Sequence, residues 1–71
     1  MIDSVKIVRH LGDLETNRSG WTKELNLVDW GSGETYDIRP WSPDHTKCGK
    51  GVTLTSLGLL ELARLVSAEV S

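Results

Sequence analysis

Gly31-Ser32-Gly33 parts two runs, Trp21 to Trp30 and Glu34 to Trp41, both rich in aromatic or β-branched residues. That pattern reads as a β-hairpin. A two-residue turn at Ser32-Gly33 pairs Gly31 with Glu34, so that Trp30 faces Thr35, Val28 faces Asp37, Asn26 faces Arg39 and Glu24 faces Trp41. Those eight side chains share one face. Leu25, Leu27, Tyr36 and Ile38 share the other, the apolar side on which a core is expected. The hairpin therefore predicts that Trp30, Arg39 and Trp41 lie away from the core.

The rest of the chain frames this hairpin. Val5 to Glu15 alternates weakly and breaks near Gly12, which predicts a strand with a bulge or bend. Asn17-Arg18-Ser19-Gly20 reads as a turn. Gly51 to Leu54 predicts a short fourth strand, and Thr55 an N-cap for a helix running to about Val70. The fold class expected is α+β, a four-stranded antiparallel sheet followed by one C-terminal helix. On the helix, Leu59, Leu62, Ala63, Val66 and Val70 form a stripe, while Leu57, Leu60 and Leu65 lie outside it. The apolar surface is wider than one sheet needs. With 71 residues, one domain spanning residues 1–71 is expected, burying only roughly 60% of its unfolded surface. A homodimer joined through the helices would complete the core.

No apolar run spans a membrane and no secretory leader is visible, so a cytoplasmic protein with no membrane partner is expected. Cys48 is the single cysteine, which excludes an internal disulfide. Catalysis finds little support: His10, His45 and Cys48 are accompanied by no Ser-His-Asp set, paired carboxylates or Gly-rich phosphate loop, so no enzyme is expected. Asp44-His45-x-x-Cys48 offers two or three zinc ligands, but a structural site uses four and no second pair exists. No metal and no cofactor is expected.

The net charge of −2 weighs against a nucleic-acid binder, yet the average hides a local excess. Residues 39 to 51 hold Arg39, Lys47 and Lys50 against Asp44 alone, and local charge decides binding. Trp30 and Trp41 offer stacking surfaces, Asn26 an amide, and Arg39 a phosphate or base contact. Lys47 and Lys50 stand beside Gly49 and Gly51, where missing side chains let another backbone approach. Alternatives stand beside these roles. Either tryptophan can be buried by packing, Arg39 can pair with Asp37 or Glu24, Lys23 can be a solvated charge, and Trp21 reads as core or turn packing.

The stretches GWTKELN (20 to 26), YDIRPWSPDH (36 to 45) and GKGVTLT (49 to 55) resemble the bacterial YdbC-type branch of the positive-cofactor-four family, transcriptional coactivators that bind single-stranded DNA. The likeness covers roughly residues 5 to 66, and its most specific element is DIR followed by an aromatic, a polar loop and the G-K-G strand. The resemblance implies a helix-mediated dimer with single-stranded DNA lying across both sheets. By position it makes Trp30 and Trp41 stacking aromatics, Arg39 the DIR arginine and Lys50 the GKG lysine, with further contacts from Trp21 and Lys23. Val28 and Leu27 stand where basic residues are expected, which shifts affinity toward stacking.

Residues and resemblance together predict a largely sequence-independent single-stranded DNA-binding protein that holds melted DNA in transcription, replication or repair. The DNA-contact set is Trp21, Lys23, Asn26, Trp30, Arg39, Trp41, Lys47 and Lys50. RNA stays open as a ligand, and a transcription or replication protein as a partner. The alternative is a small protein-interaction module that docks on a polymerase or recombination protein through the same tryptophans.

Overall fold

The computed structural model describes residues 5–70. Four strands, β1 (Lys6–Thr16), β2 (Thr22–Asp29), β3 (Glu34–Trp41) and β4 (Val52–Leu54), precede one helix, α1 (Ser56–Val70). They form an antiparallel meander in the order β1-β2-β3-β4, as the sequence predicts. Asn17 closes the first turn: its Oδ1 accepts from the amides of Ser19 and Trp21, and Gly20 takes a positive φ of 85°. Thr55 caps α1, its Oγ1 accepting from the Gly58 amide at 3.1 Å.

The hairpin register differs from expectation by two residues. Thr22 pairs with Trp41, Glu24 with Arg39, Asn26 with Asp37 and Val28 with Thr35. The cause is Asp29, whose Oδ1 accepts from the amides of Gly31 at 2.7 Å and Gly33 at 3.3 Å. This Asx-type closure takes Trp30 and Gly31 out of the ladder. Gly31 and Gly33 adopt φ of 101° and 129°, values that disfavour any residue with a Cβ. Because the slip is an even number, each strand residue keeps its face.

β1 departs further from a regular strand. Its register jumps between Ile7 and Arg9, His10 and Gly12, and Asp13 and Glu15, leaving Val8, Leu11 and Leu14 as extra residues. Three bulges in eleven residues replace the ordinary period of two by a period of three. Ile7, His10, Asp13 and Thr16 consequently lie opposite Val28, Asn26, Glu24 and Thr22, all on one face of the sheet.

Burial falls on the face that the sequence assigns to solvent. Glu24, Asn26, Val28, Asp37 and Trp41 are buried, whereas Leu25, Leu27, Tyr36 and Ile38 are only half-buried. The polar face is covered by His10 from β1 and by His45 from the loop after β3. The apolar face has only part of a layer over it. No residue of α1 is buried, and Leu57, Leu60, Leu62, Leu65, Val66 and Val70 are exposed. A body of 35 × 34 × 18 Å is a slab one sheet thick with a helix attached, too thin to enclose these side chains. Among the described residues, Val28 and Trp41 are the buried hydrophobics. None of the described helices is long and apolar enough to cross a membrane.

Candidate nucleic-acid interface

Arg39 organises the polar face. Its Nε donates to both Asp37 oxygens at 3.0 and 2.8 Å, its Nη2 donates to Asp37 Oδ1 at 2.8 Å, and its Nη1 reaches the Gly49 carbonyl at 3.4 Å. Asp37 lies two residues away on the same strand, hence on the same face. The pair is nearly dry, with 14% of the Arg39 side chain and none of the Asp37 side chain exposed. Arg39 Cζ also stands 4.9 Å from the centroid of the Trp30 ring, a cation–π distance. Guanidinium has five donors, and these contacts use three of the N–H groups.

The Gly49-Lys50-Gly51 segment runs alongside. Gly49 donates its amide to the Pro40 carbonyl at 2.9 Å, and Cys48 bridges Trp41. A Cβ on Gly51 would overlap the Ile38 carbonyl oxygen and the Arg39 Cβ, so glycine is needed here for close approach. Lys47 and Lys50 are both exposed. Lys50 stands between Gly49, whose carbonyl Arg39 Nη1 reaches, and Gly51, which packs on the Arg39 backbone, while Lys47 lies earlier in the loop with its carbonyl accepting from the Ser42 amide.

Trp41 departs from expectation. It is 3% exposed and stacks on His45 with ring centroids 5.5 Å apart and planes inclined by 27°. His45 itself sits at φ 60° in a loop fixed by Asp44, whose Oδ1 accepts from the Ser42 hydroxyl, the Thr46 hydroxyl and the Thr46 amide. These bonds, led by the Thr46 hydroxyl, hold the Asp44 carboxyl down at about 2. The accessible ring in this corner is thus His45, with Trp41 behind it. Trp41 Nε1 is buried without an acceptor among the described residues.

A cluster not expected from residue spacing occupies the centre. The Glu24 carboxylate, 4% exposed as a side chain, receives His45 Nε2 at 2.6 Å, Asn26 Nδ2 at 3.2 Å and, more loosely, His10 Nδ1 at 3.5 Å. His10 Nδ1 donates to Asn26 Oδ1 at 2.7 Å, and its Nε2 lies 3.2 Å from Asp13 Oδ1. The Asn26 carbonyl, aided by Glu24 and Asp13, raises the His10 pKa above 6.5. Asn26 is therefore wholly committed within the protein and fully buried, which corrects its assignment as an open amide. His10 and Asp13 are three apart, a spacing that separates faces in a regular strand; the bulge at Leu11 hid their meeting.

Trp21 and Lys23 are not part of this face. Lys23 lies opposite Pro40 and Glu15 on the other face, its Nζ 3.5 Å from Glu15 Oε1. Together with half-buried Trp21 it lines a groove of about 380 Å³, shared with Thr16, Asn17 and Pro40. Alternation along β2 places Lys23 there, since it is an odd number of residues from Glu24 and Asn26.

Fold and site define a class: a small ββββα domain whose antiparallel meander carries a polar face with Arg39 laid over Trp30 and two exposed lysines on the adjoining loop. The chain belongs to the family of an uncharacterized protein of Treponema pallidum (strain Nichols), with which it is 45% identical over 64 residues, 89% of this chain and 75% of that protein. No family model matches it.

Proposed function

We propose that this protein is a homodimeric, largely sequence-independent single-stranded DNA-binding protein of the coactivator type, acting in the cytoplasm on melted DNA during transcription, replication or repair. The observation that carries the reading is Arg39, fixed by Asp37 over the Trp30 ring with donors to spare and bare glycine backbone beside it. A cation laid on an indole, with lysines at the rim, suits a nucleotide: the base stacks on Trp30 or His45 and its phosphate meets Arg39, Lys47 or Lys50. The buried acids Glu24 and Asp37 keep phosphate away from the centre of the face and toward that rim. The exposed leucines of α1 supply the surface for the second copy.

Anisotropy of a labelled oligo-dT of about 20 nucleotides, compared with duplex of equal length at low and high salt, tests this reading. Tight binding to the single strand that weakens with salt is expected. No binding to the single strand at either salt would leave the second reading, a protein-docking module, which the same exposed helix supports.

A further inference from the structure

The cluster at Glu24 lies outside the stacking rim and has a chemistry of its own. Two imidazoles and two carboxylates converge, brought from three separate places: His10 and Asp13 from the bulged β1, Glu24 from β2 and His45 from the loop after β3. One ligand atom each from His10, Asp13 and Glu24 lies within 4.8 Å of the others. Ligands at about 2.0–2.2 Å from a tetrahedral ion stand about 3.3–3.6 Å apart, so small torsions of the two solvent-facing side chains close the set. Those side chains, His10 and Asp13, are 48% and 64% exposed, whereas Glu24 is held at 4%. The arrangement is one rigid buried ligand with two adjustable ones at the surface, which also leaves an entry path.

Electrostatics favours an occupant. The described partners of the Glu24 carboxylate are His10, His45 and Asn26, with no lysine or arginine among them. A carboxylate 4% exposed with no basic side chain of fixed charge against it is costly to bury. A divalent cation supplies the compensating charge. Imidazole nitrogen mixed with carboxylate oxygen selects the zinc class over calcium or magnesium, which prefer oxygen alone.

We propose that His10, Asp13 and Glu24 bind a divalent transition ion of the zinc class, with solvent completing the coordination and His45 holding the other oxygen of Glu24 in place. Asn26 orients the site by its contacts to His10 and Glu24. This site does not depend on the nucleic-acid reading, and either can fail alone.

Equilibrium dialysis of the full, untagged chain against zinc chloride, with cobalt absorption as a report on ligand geometry, tests it. One ion per chain is expected, bound more weakly at pH 6 than at pH 8 because protons compete for the imidazoles. His10→Ala and Asp13→Ala alter exposed side chains and should keep the circular dichroism of the parent while losing at least about tenfold in affinity. Cys48→Ser should bind as the parent does. No stoichiometric binding, or binding that survives His10→Ala and Asp13→Ala together, overturns the site. So does loss on Cys48→Ser, which would place the ion on the Asp44-His45-Cys48 loop.

Discussion

Arg39 lies over the ring of Trp30 with its Cζ 4.9 Å from the centroid, and the angle at which it does so is fixed from beneath by a two-pronged grip on Asp37. The same guanidinium therefore serves the fold and the proposed site. Replacing it tests both at once: Arg39→Ala leaves the Asp37 carboxylate buried and unpaired, which should destabilise by about 3 kcal/mol in urea denaturation. Arg39→Ala combined with Asp37→Asn should recover part of that loss, and in the folded fraction the salt slope for oligo-dT should fall by about 0.7.

The two tryptophans of the polar face should separate cleanly. Trp30 is 36% exposed and Trp41 is 3% exposed. Trp30→Ala should cost roughly 1–3 kcal/mol of oligonucleotide binding and little stability. Trp41→Ala removes one of the few buried apolar side chains and should cost about 3–5 kcal/mol of folding free energy. Equal effects of both on binding alone, with the melting curves unchanged, would contradict the burial.

The leucines of α1 predict an assembly. Leu60 and Leu65 are 67% and 52% exposed on a helix with no buried residue. Light scattering should give twice the chain mass for the parent and the single-chain mass for Leu60→Glu with Leu65→Glu, since a charge is costly in an apolar interface. A parent that stays monomeric at high concentration would refute the helix-mediated dimer.

The loop after β3 should soften in acid. Asp44 has a folded pKa of about 2 against 3.8 for a free carboxyl, so its charged form is favoured in the fold. Its contribution is complete above the free value and is lost as pH falls through the folded one. Protection of the Thr46 and Lys47 amides, measured against their intrinsic exchange rates, should fall between about pH 4 and pH 2, and Asp44→Ala should show low protection throughout.

Gly51→Ala should fail for a local reason. The added Cβ would meet the Ile38 carbonyl and Arg39 Cβ, backbone and branch point that cannot rotate away. A drop in melting temperature together with weaker oligo-dT binding is expected. Gly12→Ala, where nothing lies within 4 Å of the new atom, serves as the control.

Local chemistry made much of this protein legible. Glycines around Ser32 marked the hairpin, Thr55 marked the helix start, and the excess of leucine on α1 marked a helix that its own sheet cannot cover. Alternation also put Arg39, Trp41, Glu24 and Asn26 on one face, because a register slip of two preserves sides.

The amino-acid order alone thus determined the elements, their sequence along the chain and the face each hairpin residue takes, since these depend on neighbours within a few positions. Only the tertiary structure decided which face is buried and what meets there. Three bulges in β1 turn a period of two into three and bring His10 and Asp13 together over Asn26 and Glu24. The loop after β3 then folds His45 onto Trp41 and Glu24. Each step sets an imidazole against partners on β2, His10 against Glu24 and Asn26 at 14 and 16 positions and His45 against Glu24 at 21, a distance over which no local periodicity carries information.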